Sequence, residues 1–185
     1  GPRRDLRRDF GELGQLRDGQ QMTSVEIFAT PADLASAVAV RLAERINSIT
    51  GHEPRIVLTG GTIAGQIYQS IDAGAANWAG VHYWWGDERF VPAGHAERND
   101  LLAAETFLDR CAVQSANRHQ MPADNGQMTL TEAANAYVSE LPTEPFDLVL
   151  LGMGPDAHVA SLFPGFVQTQ LRDVLVTAVP DSPKP

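Results

Sequence analysis

The feature that most constrains this chain is the passage from an apolar run into a glycine-rich turn. Residues 146–151 are apolar except for Asp147, and residues 152–165 then read GMGPDAHVASLFPG. A short apolar run bounded by turn residues predicts a strand buried on both faces of a parallel sheet. Open α/β sheets bind ligands just beyond the carboxyl ends of their strands. One imidazole, His158, and one carboxylate, Asp156, fall at such a place. The segment 157–163 is short, and Pro164-Gly165 stops it. A glycine-rich turn with a structurally packed histidine accounts for the same residues. A dinucleotide fingerprint is a further reading, since Gly152, Gly154 and Ala157 fit G-x-G-x-x-A and Asp173 lies near the distance of a ribose-binding acid. That fingerprint normally follows a first strand and opens a long helix. Here it follows a late strand, and Pro164 cuts the helix short.

The preceding chain alternates strands with helices. Residues 25–30 read as a first strand. Thr30 and Asp33 resemble a capping box with Pro31 at the first helical position. Leu34, Val38, Leu42, Ile46 and Ile49 then recur at helical spacing until Gly51. Residues 55–58 form a second strand that runs into Thr59-Gly60-Gly61-Thr62. A helix bearing Ile63, Ile67 and Ile71 on one face follows. A glycine-rich turn at a helix start exposes unpaired N–H groups and the positive end of the dipole, which suits a phosphate. Residues 81–85 form a third strand leading into Asp87-Glu88-Arg89, three charges that need pairing or a function. A helix is expected over 99–111, a short strand around 118–121, and a helix capped by Thr129 and Glu132. A last strand is expected over 174–179. The pattern predicts a single doubly wound, Rossmann-like α/β domain, with a mainly parallel sheet and helices on both faces. Residues 1–21 read as a tail outside this fold, or as a short helix docked through Leu6, Phe10, Leu13 and Leu16; the domain proper is 22–185.

Composition narrows the function. A net charge of −9 argues against nucleic acid, which needs a basic footprint. Any phosphate site must then be built locally, from a helix start and a few arginines. No apolar run is long enough to span a bilayer, and no apolar segment follows the N-terminal arginines, so neither a membrane partner nor a secretion leader is expected. The single cysteine, Cys111, excludes an intrachain disulfide and fits a reducing, cytoplasmic compartment. No Cys/His cluster suggests a metal. No G-x-S-x-G elbow offers a serine nucleophile.

Three motifs together carry a family resemblance. Residues 152–165 resemble the signature of the 6-phosphogluconolactonases, G-x-G-x-D-G-H-x-A-S-L-F-P-G, with Ala157 where the family usually has Gly. Thr59–Thr62 resembles the family's phosphate loop, commonly S-G-G-S-T-P, although Ile63 and Ala64 depart from its end. WWGDERFVPAGHAERND resembles W-x-D-E-R-x-V-P…S-N, with Asn99 matching and Arg98 in place of Ser. The resemblance implies hydrolysis of 6-phospho-D-glucono-1,5-lactone by direct attack of water, with a sugar-phosphate substrate and no cofactor. His158 would be the general base, with Asp156 orienting it or a sugar hydroxyl. Gly60, Gly61, Thr62 and Arg89 would hold phosphate, with Asp87, Glu88, Arg98 and Gly154 as further substrate contacts. Backbone N–H groups after Gly154, Pro155 excepted, would be oxyanion donors. A glucosamine-6-phosphate deaminase-like isomerase, with a similar turn, and a non-catalytic sugar-phosphate sensor are the alternatives. The family's Gly suggests a positive φ at position 157; with Ala there, the turn is expected in a conformation that alanine tolerates. Family members usually continue past the Pro-rich end of this sequence. The expectation is therefore a domain whose C-terminal part is missing, with an unpaired sheet edge, weak activity, and a monomeric or weakly associating state.

Overall fold

The computed structural model describes residues 24–184; the expected N-terminal tail, residues 1–21, lies outside that range. The described elements, in order, begin with α1 (Pro31–Ser48), β1 (Arg55–Leu58), α2 (Thr62–Ser70) and β2 (His82–Trp85). Then come α3 (Asn99–Ala103), which widens into a π-helical turn over Ala104–Leu108, α4 (Leu130–Val138) and β3 (Leu148–Val149). The sheet is three-stranded in the order β2-β1-β3, and both pairings are parallel. All three strands therefore point their carboxyl ends to one edge, as a doubly wound fold requires.

Alternation along the strands divides the core into two layers. Ile56, Leu58, Tyr83 and Trp85 face α1, α2 and the π turn, while Val57 and Trp84 face Tyr137 of α4. Phe107 fills the first layer. It meets Trp78 and Tyr83 edge-on, with centroids 5.3 and 5.6 Å away, and stacks beside Tyr68. Each such pair is worth about 0.5–1.5 kcal/mol beyond the burial itself. Phe107 reaches this place because the helix opens by one residue, Asp109 N–H donating to Ala104 O.

Two tyrosines, one from each layer, finish the strands. The Tyr68 hydroxyl accepts from Thr59 N–H (3.1 Å) and donates to Thr59 O (2.7 Å), just past β1. The Tyr137 hydroxyl does the same for Trp85 at the end of β2, at 3.0 and 3.3 Å. Burial pushes the ionisation of both phenols well up, so each keeps its donor hydrogen. At the amino-terminal edge, His82 Nδ1 and His119 Nε2 are 3.0 Å apart, and His119 stacks flat on Trp84.

Several expectations need correction. Residues 25–30 form no strand; Val25 and Ile27 are 60% and 67% exposed. The Thr30 cap holds, its hydroxyl oxygen accepting from Asp33 N–H, but the buried line of α1 is Ala35, Ala39, Leu42, Ala43 and Ile46. Leu34 and Val38 lie at its margin, because the alanines let α1 approach more closely. Residues 118–121 contribute one bridge, Arg118 to Tyr83. The apolar run 146–151 is not buried on both faces: only Leu148–Val149 pairs, and Leu151 is 62% exposed. Among the described residues no strand lies on the outer side of β3. Residues 174–179 form no strand, although Val176 packs against the Trp84–Tyr137 layer. The capping box at Thr129–Glu132 is complete.

Asp147 opens β3 and ties the edge together. Its carboxylate accepts from Arg55 N–H at 2.8 Å and from His52 Nε2 at 2.9 and 3.1 Å. Burial works to raise its pKa, but the Arg55 amide and His52 outweigh it and hold it below the usual carboxylate value. A carboxyl depressed on folding stabilises fully above its unfolded pKa and loses that contribution as pH falls through the folded one. Asp147→Asn is expected to cost on the order of 1 kcal/mol near neutrality. The gap in thermal midpoint between the variant and the parent should close well below pH ~4, and a gap that stays constant down to that range would contradict this reading.

Candidate active site

The chemistry converges where the three strands end. The β1 end passes through Thr59-Gly60 to Gly61, the residue before α2, which carries no side-chain cap. Gly60 is constrained by Asn99: a Cβ there would stand 1.8 Å from Asn99 Oδ1. Asn99 in turn donates from Nδ2 to Asp87 O at 3.0 Å. The phosphate-loop candidate and the loop after β2 are thereby packed together.

In that second loop the charges 87–89 have separate fates. The Glu88 side chain is 2% exposed. Its Oε1 accepts from Arg89 N–H and Asn99 N–H, each at 2.7 Å, and its Oε2 from Asp100 N–H at 2.8 Å. Burial pushes the Glu88 carboxyl up, against the opposing pull of those amides and of Arg98. This carboxylate supplies the cap that the start of α3 lacks in its own sequence. Arg98 is buried too, gripping Asp100 with Nε and Nη2 (2.9 and 2.8 Å) and donating to the carbonyls of Arg89 and Met121. Glu88 and Arg98 are both spent on holding the loop. The hollow of about 380 Å³ beside Arg98, lined also by Leu101 and Met121, contains neither Arg89 nor His158.

Arg89 differs. Its side chain is 16% exposed and lies 3.7 Å from Glu97, and its Nη1 is buried with no hydrogen-bond partner. A buried guanidinium donor left unpaired is costly unless something else satisfies it. Arg89 lines a narrow cleft of about 20 Å³ with Asp87, His158, Ser161, Phe163 and Lys184. The sequence reading singled out neither Ser161 nor Lys184 for the site. The available signals were that Ser161 falls inside the 152–165 stretch and that Lys184 is the only lysine.

His158 is held by its neighbours. Its Nδ1 lies 2.5 Å from Asp156 Oδ1, and the hydrogen bond to His158 leads the effects that hold the Asp156 carboxyl below its ordinary value. An ionised Asp156 accepts, so Nδ1 of His158 is the donor and Nε2 takes no part in this bond. The ring tilts on Phe163 at 4.8 Å. Gly154 makes the room: a Cβ there would come within 2.1–2.8 Å of three ring atoms. Gly154 is thus needed for space at the ring.

The turn itself corrects one expectation. Ala157 has φ 67°, and Ala160 has φ 53°. The turn has not moved to a conformation that alanine tolerates; it keeps the left-handed geometry at a cost of about 1–2 kcal/mol per residue. Two backbone bonds enforce it, Gly154 N–H to His158 O (2.9 Å) and Ala157 N–H to Gly154 O (3.0 Å). Val159 N–H is likewise turned to Leu162 O, so the amides of Gly154, Ala157 and Val159 are engaged within the turn.

A doubly wound parallel sheet with an imidazole–carboxylate pair and an arginine gathered beyond its carboxyl edge defines a Rossmann-like α/β protein. Residues 29–185 match the family model described as Glucosamine-6-phosphate isomerases/6-phosphogluconolactonase, and the chain belongs to that family. It is 38% identical over 176 residues to a 6-phosphogluconolactonase of Mycobacterium leprae, covering 88% of this chain and 71% of that protein. Among solved structures it is similar to the 6-phosphogluconolactonase of Thermotoga maritima, with 28% identity and a TM-score of 0.69 over 82% of this chain and 67% of that one. The enzyme from Shewanella baltica gives 26% identity and a TM-score of 0.70, over 82% and 68%. No helix among the described residues is long and apolar enough to cross a membrane.

Gly154→Ala tests the role of that glycine. The variant should fold, with a stability loss of about 1–2 kcal/mol. Its crystal structure should show the imidazole displaced from Asp156, and a ring left in place would refute the spatial requirement.

Proposed function

We propose that the chain hydrolyses 6-phospho-D-glucono-1,5-lactone to 6-phosphogluconate, the lactonase step of the pentose phosphate pathway. The observation that carries this reading is the Asp156-held imidazole of His158 in the same cleft as the Arg89 guanidinium, whose Nη1 makes no hydrogen bond. The names of its relatives, 6-phosphogluconolactonases in bacteria, support it.

The steps follow from the groups present. Phosphate docks against the N–H groups of Gly60, Gly61 and Thr62 at the start of α2 and against Arg89, with Lys184 at the cleft mouth as a second cation. This anchoring places the lactone carbonyl near His158. His158 Nε2 takes a proton as the oxygen of water bonds to C1. Asp156 steadies the imidazolium that results. The bond between C1 and the ring oxygen then breaks, and the proton held on His158 passes to that oxygen. Asp87 stands at the cleft wall, and Gly154 clears the ring's space. We take the chain to act in the cytoplasm on its sugar phosphate without cofactor or metal, as a monomer or weak homo-oligomer.

A turnover assay on the lactone, corrected for spontaneous hydrolysis and run beside a 6-phosphogluconate binding assay, tests the reading. Binding without turnover would indicate a sensor. His158→Asn should lower turnover by roughly 10²–10⁴-fold while product binding is largely kept; near-normal turnover would remove His158 from the mechanism. Arg89→Ala should weaken 6-phosphogluconate far more than gluconate, and equal losses for both ligands would refute a phosphate role.

A further inference from the structure

The loop that carries His158 has few ties to the rest of the molecule. Its own bonds run within the turn, and Leu151, Met153 and Leu162 are exposed. One side-chain bond crosses to a rigid element: Ser161 Oγ donates to Asp87 Oδ2 at 2.9 Å, across 74 positions of sequence. The acceptor is itself fixed. Asp87 Oδ1 is 3.4 Å from Asn99 Nδ2, and its carbonyl accepts from the same amide. The next residue, Glu88, is locked to the start of α3. Ser161 is thus fastened to the same short segment that carries Arg89.

We propose that the Ser161–Asp87 hydrogen bond is the tether that sets the distance between the base and the phosphate site, with Ser161 and Asp87 acting as positioning residues. A hydroxyl has one hydrogen to give. Ser161 gives it to the Asp87 carboxylate, so that hydrogen is not offered to a substrate oxygen. Asp87, already accepting from Ser161 and facing Asn99, is a support and not a ligand for an anion; a carboxylate would repel phosphate. The substrate is bound at one end through Arg89 and attacked at the other through His158. A fixed separation between the two loops makes those events coincide, and small misplacements of a base are costly in rate. This inference rests on His158 being the base of the lactonase reaction.

The test is Ser161→Ala, which deletes the tether and leaves both ends of the site chemically intact. The variant should keep its fold and lose turnover by about tenfold or more. KM, and the affinity for 6-phosphogluconate, should stay within about twofold. Because Ser161 acts through His158, the same substitution made in His158→Asn should change the residual rate by less than about twofold. Amide hydrogen exchange across 156–163 should quicken in Ser161→Ala, a readout that needs no catalysis. Unchanged turnover, an equal loss in the His158→Asn background, a matching loss of product affinity, or unchanged exchange in that loop would each overturn the tether. Should the parent protein bind 6-phosphogluconate but fail to turn over the lactone, the functional reading falls, and the exchange experiment alone decides the tether.

Discussion

A carboxylate almost shut off from water holds the site region together. Glu88 accepts three backbone amides from two segments and lies 3.7 Å from Arg98. Without it, the start of α3 would bury amides with no acceptor, and the loop after β2 would be left to Asn99 and Arg98 for its ties to that helix. The burial that makes such a carboxylate expensive also makes its hydrogen bonds strong and specific. Arg89 projects from a backbone that this clamp fixes, and Asp87 is fixed from the other side.

The contrast between the two nearby arginines shows how an acidic chain of net charge −9 can build a place for an anion. Arg98 is neutralised by Asp100 and Glu88 and makes four hydrogen bonds. Arg89 reaches the cleft with Nη1 making no hydrogen bond, only a 3.7 Å ion pair with the half-exposed Glu97. One guanidinium is saturated with hydrogen bonds while the other, with Lys184 lining the same cleft, keeps donors to spare. The global charge of the protein says nothing about this local balance.

What could be read from the sequence was whatever short-range chemistry decides. The strand Arg55–Leu58, the cap at Thr30 and the box at Thr129–Glu132 are local patterns, and they stand where expected. The His158–Asp156 pair was legible because two residues separate so little. Contacts across long stretches of chain were not: Ser161 to Asp87, Glu88 to the start of α3, and Arg98 to Met121 depend on how loops meet. The charge of Arg98 looked like a ligand because a sequence does not display burial. The left-handed Ala157 was misjudged because side-chain preference argued one way, while two backbone bonds argued the other and prevailed. The run 146–151 promised a fully covered strand, yet hydrophobicity says only that a face can be covered, not what covers it. The alanine seam of α1 was hidden by the larger leucines and valines beside it.

The tyrosine hydroxyls at Thr59 and Trp85 have a consequence for how this scaffold can change. Each closes both the donor and the acceptor of the residue at which a strand gives way to a loop, so that residue needs no partner from the loop. β1 and β2 can then be only four residues long and still end cleanly. The loops beyond them keep ties of their own, Gly86 N–H to Leu58 O and Glu88 to the start of α3, but Thr59 and Trp85 ask nothing of them. Substitutions away from those ties alter what is bound and how fast it reacts before they alter whether the chain folds. A frame sealed in this way lets its rim be rewritten.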